Sequence, residues 1–92
     1  MTTAIVLIKS QTDQVSALAQ RIVEQPGVQD VYSVAGQYDL VAVVVAADND
    51  GLAELISDKI RKLPGIVDSM TLIAFRTYSQ RQVDAGFSLG LD

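Results

Sequence analysis

The chain has 92 residues, of which 49% are apolar and 20% charged, which fits one small domain and excludes a disordered tail. The net charge of −4 and the scattering of the basic residues argue against a nucleic-acid surface. The absence of cysteine and histidine excludes disulfides and thiolate metal sites and removes the commonest general base, so we expect no cofactor and no metal.

The first half of the chain predicts a strand, a helix and a second strand. Residues Thr3 to Lys9 are apolar on both faces, as in a buried strand. Ser10 and Asp13 fit a capping box, with Thr12 as a competing N-cap. Apolar residues then recur at the spacing of one helix face, and they are Val15, Leu18, Ala19, Ile22 and Val23. Pro26-Gly27 ends this helix, and Val28 to Ala35 predicts the second strand.

The second half repeats this order. Residues Tyr38 to Ala47 are rich in valine and predict a central strand, and the segment Asp48 to Gly51 offers several N-cap candidates. The apolar stripe of the second helix consists of Leu52, Leu55, Ile56, Ile60 and Leu63. After Pro64-Gly65, Ile66 to Thr77 predicts the fourth strand. Its alternation puts Met70, Leu72 and Ala74 on one face and Ser69, Thr71, Ile73 and Phe75 on the other.

The two halves superpose at a shift of 38 residues, which places Pro26-Gly27 on Pro64-Gly65. The order βαββαβ predicts an α+β, ferredoxin-like fold, with a four-stranded antiparallel sheet and both helices on one face. The other face is apolar and has no cover, so we expect a homodimer in a dimeric α/β-barrel arrangement. We assign residues 1–77 to the domain and residues 78–92 to a C-terminal tail.

The tail could form a short helix beginning at Ser79. Its apolar residues lie beyond the domain, and we expect them to pack on a neighbouring subunit. They are Val83, Phe87, Leu89 and Leu91.

The connection between the second and third strands carries a glycine followed by two functional side chains. Gly36 can adopt the positive φ of a tight turn, and Tyr38 and Asp39 place a phenol and a carboxylate beside backbone amides. We interpret this corner as a small-molecule recognition site. Each residue also has a purely structural interpretation, in which Gly36 serves the turn alone and Asp39 bonds to its own backbone.

The pattern resembles the effector-binding (RAM-type) domain of Lrp/AsnC-type regulators. The resemblance covers residues 3–77, and its cues are Pro26-Gly27-Val28, the run Val34 to Leu40, Leu63-Pro64-Gly65-Ile66 and Thr71. It implies dimers that assemble into a higher oligomer, with an octamer or decamer as the plausible sizes, and a free amino acid or similar small effector bound where dimers meet.

The expected effector site combines two parts of the chain. An amino acid needs an anion for its ammonium, which Asp39 can supply, and amide donors for its carboxylate, which the Gly36 turn can supply. The resemblance adds contacts from a neighbouring subunit. The candidate ligand-binding residues are Val34, Gly36, Gln37, Tyr38, Asp39, Leu40, Ser69 and Thr71.

Only Met1-Thr2 precedes the first strand, whereas full-length members of this family carry a helix-turn-helix there. We therefore expect a stand-alone module without direct nucleic-acid binding, which influences DNA through full-length Lrp/AsnC regulators. No segment resembles a signal peptide or a membrane span, which favours a cytoplasmic location.

Three alternatives remain open. A small dimeric α/β-barrel enzyme has the same fold, but no paired carboxylates or nucleophile–base spacing occurs in the sequence, and we expect no enzyme. An ACT-like sensing domain would carry its glycine after the first strand, where this chain has Ser10-Gln11-Thr12. A structural oligomerisation module without a ligand would show no amino-acid binding.

Overall fold

The protein is described by a computed structural model that places residues 1–78 and 80. Four strands and two helical segments follow one another in the predicted order. They are β1 (Thr2–Ser10), α1 (Val15–Val23), β2 (Val28–Ser33), β3 (Leu40–Ala46), α2 (Asn49–Ala53), which continues as a π-helix (Glu54–Ile60), and β4 (Ile66–Ala74). The strands form one antiparallel sheet in the order β2-β3-β1-β4. The predicted ferredoxin-like fold is confirmed.

The core lies between the helices and one face of the sheet. Alternate residues of the two central strands are fully buried there, because successive side chains of a strand point to opposite faces. These residues are Ala4, Val6 and Ile8 of β1 and Leu40, Ala42 and Val44 of β3. Leu18 and Ile22 of α1 pack on them, as do Leu52 and the buried residues of the π-helix. Each large apolar side chain buried in this way contributes about 1.5–3 kcal/mol relative to an exposed position.

The opposite face of the sheet is apolar and is not covered by any element of the described residues. Ile5 pairs with Val43 and with Leu72, so these three side chains share that face. Leu72 is 47% exposed, and Met70, one pair further along β4, is 49% exposed. We call this surface the open face. Its other apolar members are Leu7, Tyr32, Val41, Val45 and Ala74.

Of the predicted helix caps, the one for α1 is wrong and one of the candidates for α2 is confirmed. The capping box of Ser10 and Asp13 and the alternative cap Thr12 are wrong, because Gln14 occupies the N-cap of α1 and its side chain makes no capping bond. Ser10 instead belongs to β1, where its amide donates to a side chain described below. Asp48 does cap α2, since its Oδ1 accepts from the amide of Gly51 at 2.8 Å.

Several predicted strand ends extend too far. We expected the second strand to reach Ala35, the third to begin at Tyr38 and the fourth to reach Thr77, whereas the strands end or begin at Ser33, Leu40 and Ala74. The valine-rich pattern predicted the strands correctly, but it could not show that residues 34–39 bond across their own loop and to β1. The expectations on Ser79, Val83, Phe87, Leu89 and Leu91 lie outside the described residues.

Candidate functional site

Residues 34–39 form a loop that is tied to the end of β1 by Asp39. The amide of Val34 donates to the carbonyl of Asp39 at 3.0 Å, which closes the loop. The amide of Asp39 donates to the carbonyl of Ile8 at 2.9 Å, and its carboxylate Oδ2 accepts from the amide of Ser10 at 2.8 Å. Asp39 is half-buried, and among the described residues no donor bonds to its other carboxylate oxygen. The loop is therefore held at its base on the edge of the core.

The tip of this loop is open. Gly36 has a φ of +129°, and a Cβ built on it would meet no atom within 4 Å, so the conformation of the backbone rather than crowding requires glycine there. Among the residues that the structure describes, none accepts a hydrogen bond from the amides of Gly36, Gln37 or Tyr38. The tip thus offers backbone donors next to the half-buried carboxylate of Asp39, which is the combination that recognises a zwitterion.

A cation that the sequence analysis did not consider lies at the same tip. Lys9 Nζ donates to the carbonyl oxygen of Gln37 at 3.3 Å. The signal was present in the sequence, since Lys9 is the one charged residue of β1. Its relation to residues 34–39 depends on the pairing of β1 with β3, and the sequence alone did not show it.

The remaining loop residues differ in what they expose. Val34 is 39% exposed and Tyr38 is half-buried, so both side chains can contact a ligand at the tip. Leu40 is fully buried in the core, and its side chain cannot reach a ligand at the tip.

Ser69 and Thr71 lie elsewhere in the same chain. In β4 they pair with Ile8 and Val6, which places them on the helix side of the sheet. There they line a cavity of about 780 Å³ between β4 and the second helical segment. We call it the β4 cavity, and its other lining residues are Asn49, Leu52, Ala53, Ile56, Ser57, Arg61, Ile73 and Phe75. None of residues 34–40 lines it, because β1 separates β3 from β4. One chain therefore does not bring the two halves of the predicted site together.

The described residues contain no group of three or more carboxylates that could hold a metal ion. Within the same part of the chain, no helix is long and apolar enough to cross a membrane.

A comparison with protein families supplies the decisive observation. The profile of the Lrp/AsnC ligand binding domain matches residues 3–84. The chain belongs to this family. The resemblance predicted from the sequence is therefore confirmed.

Three relatives show how this Lrp/AsnC domain compares with known proteins. The HTH-type transcriptional regulator PH1916 of Pyrococcus horikoshii is 36% identical over 84 residues, which cover 86% of this chain and 55% of that protein. The crystal structure of TTHA0845 from Thermus thermophilus matches with a TM-score of 0.81 and 44% identity, over 87% of this chain and 100% of that one.

The third relative was solved with a ligand. It is a feast or famine regulatory protein from M. tuberculosis in complex with L-methionine, with a TM-score of 0.70 and 30% identity, over 89% of this chain and 56% of that one. The chain spans about half the length of the curated regulators that it matches, at 55% for the first three of them.

Proposed function

We propose that this Lrp/AsnC domain binds a free amino acid or similar small effector and oligomerises. It acts in the cytoplasm, not as an enzyme, and influences transcription by assembling with full-length Lrp/AsnC regulators. The match to TTHA0845 over the whole of that chain supports a module of this size.

The observation that carries the proposal is the loop tip at Gly36. The ammonium of the amino acid pairs with the free carboxylate oxygen of Asp39, and its carboxylate accepts from the amides of Gly36 to Tyr38. Lys9 adds a positive charge on the carboxylate side. The L-methionine complex of the relative from M. tuberculosis supports an amino acid as the ligand class.

The proposal also requires more than one subunit. Ser69 and Thr71 of a neighbouring subunit complete the site around the loop of the first, with Val34 and Tyr38 as its walls. Dimers form through the open face. A standard interface buries roughly 800 Å² per partner, about 1,600 Å² in total, of which roughly 60% is apolar; at ~25 cal/mol per Å² of apolar area this is a gross stabilisation of about 24 kcal/mol before the large costs of association. Dimers then assemble into an octamer or decamer.

Calorimetric titration of the purified protein with each of the twenty amino acids tests this function. We expect heat of binding for at least one amino acid. Gly36→Val should weaken that binding at least tenfold, because a β-branched residue disfavours the positive φ and its side chain fills the open tip. Ala17→Val, at an exposed position of α1, is the matched control and should bind as the wild type does. If no amino acid binds, the chain is an oligomerisation module without this ligand class.

A further inference from the structure

The β4 cavity has a use beyond lending two hydroxyl groups to the site. We propose that it receives the side chain of the bound amino acid, and that Arg61 makes it select against cationic side chains. This inference rests on the proposed function, since it concerns the other end of the same ligand.

The position of the cavity follows from the strand geometry. Ser69 and Thr71 point to the helix side of β4 and line the cavity, so the side chain of a ligand that contacts their hydroxyls can enter the same space. The lining there is mainly apolar, with Leu52 and Ile56 from the helical segment and Ile73 from β4. An apolar side chain that packs against these residues loses contact with water, which is favourable.

The size of the cavity decides how it can discriminate. A volume of about 780 Å³ lies within the range of roughly 300–1,000 Å³ in which proteins hold drug-sized ligands, and is larger than one amino-acid side chain requires. The cavity therefore cannot select strongly by size. Charge is the property that its lining can distinguish.

Arg61 is the charged residue among the residues that line the cavity. Its amide donates to the carbonyl of Ile56 at 2.9 Å, an i to i−5 bond that closes the π-helix and sets where the side chain starts. Within the described residues, its guanidinium forms no hydrogen bond or ion pair. An unpaired guanidinium beside an apolar pocket repels an ammonium and leaves a neutral side chain unaffected.

The test compares L-norleucine with L-lysine, because these two amino acids differ only by the terminal ammonium. The measured quantity is the ratio of their dissociation constants, obtained by calorimetry at low salt on the full chain. The wild type should bind norleucine more tightly. Arg61→Gln should shrink this ratio about fivefold, the factor that one charge contributes at ~4 Å in water. Added salt should shrink the wild-type ratio and leave that of Arg61→Gln nearly unchanged, because salt screens the charge that the substitution removes.

Lys62→Gln is the matched control, because it removes one positive charge at the next position, and Lys62 does not line the cavity. Its ratio should equal that of the wild type. Equal ratios in all three proteins, or equal changes in both variants, overturn the inference; if norleucine still binds and Gly36→Val still weakens it, the proposed function stands. If the wild type binds neither norleucine nor any of the twenty amino acids, both this inference and the proposed function are overturned.

Discussion

Asp39 has two tasks in this fold, and substitutions can separate them. One carboxylate oxygen accepts from the amide of Ser10 at 2.8 Å and holds the loop on β1, while the other is proposed to pair with the ligand's ammonium. Asp39→Ala removes both. Asp39→Asn keeps a side-chain oxygen that can accept from Ser10 but removes the negative charge. The two variants should therefore differ in stability and agree in their loss of binding.

The expected loss of stability follows from the hydrogen bond. A bond to a charged acceptor contributes about 1.5–3 kcal/mol, and the half-buried setting of Asp39 argues for the lower end. We expect Asp39→Ala to lower the free energy of unfolding by about 1–2 kcal/mol, because the amide of Ser10 is left without its acceptor. Asp39→Asn should lower it by about 0.5 kcal/mol, since a neutral bond replaces the charge-assisted one.

Thermal unfolding followed by circular dichroism measures this difference. A change of 1 kcal/mol shifts the Tm by about 4–8 °C in a domain of this size, and the protein concentration must be the same throughout because an oligomer's Tm depends on it. Calorimetry then measures amino-acid binding. Wild-type stability of Asp39→Ala would refute the anchoring role, and wild-type affinity of Asp39→Asn would refute the ammonium contact.

Two further predictions concern the open face and the glycines. Leu72→Lys should break the dimer, whereas Ile73→Lys should preserve it. These neighbours are almost equally exposed, at 47% and 48%, but only Leu72 lies on the open face. Light scattering measures the masses of the two variants, and equal masses would contradict the assignment of the interface. Gly36→Ala should cost about 1–2 kcal/mol for its φ alone. Gly27→Ala, with φ +100°, should lower the free energy of unfolding by about 1–3 kcal/mol more than Gly36→Ala does, since its Cβ would lie 2.9 Å from the carbonyl oxygen of Val45. Urea denaturation measures both losses, and equal losses would show that crowding at Gly27 plays no part.

The sequence predicted the fold well because its strongest patterns are periodic. The apolar stripe of α1 has the spacing of a helix and the β-branched run of β3 favours a strand, and the structure adopts both. The sequence could not predict the cap of α1, because Ser10 has a competing partner in Asp39, far along the chain. The sequence did not predict the π-helix either, because the spacing of its apolar residues also fits an ordinary α-helix.

The candidate site was predictable only in its loop. Gly36 and Asp39 stand in a recognisable run of residues, whereas Lys9 and Arg61 acquire their positions from strand pairing and from the π-helix. A single chain also leaves Thr71 on the far side of β1 from the loop, so the relation between the two halves of the site is beyond what either the sequence or one subunit contains.

The internal repeat explains where the proposed binding groups lie. Gly27 and Gly65 end the two helical segments with nearly equal φ values of +100° and +102°, so the two halves share a scaffold. The halves differ in two places. The loop of residues 34–39 joins one half to the other and so has no counterpart within the repeat, and the second helical segment ends as a π-helix whereas α1 is a regular α-helix. Two of the proposed contacts, the Gly36 tip and Arg61, lie at these departures, on opposite sides of β1. If an amino acid contacts both, it bridges two copies of the chain, and its binding must then strengthen their association by the same factor by which association strengthens its binding.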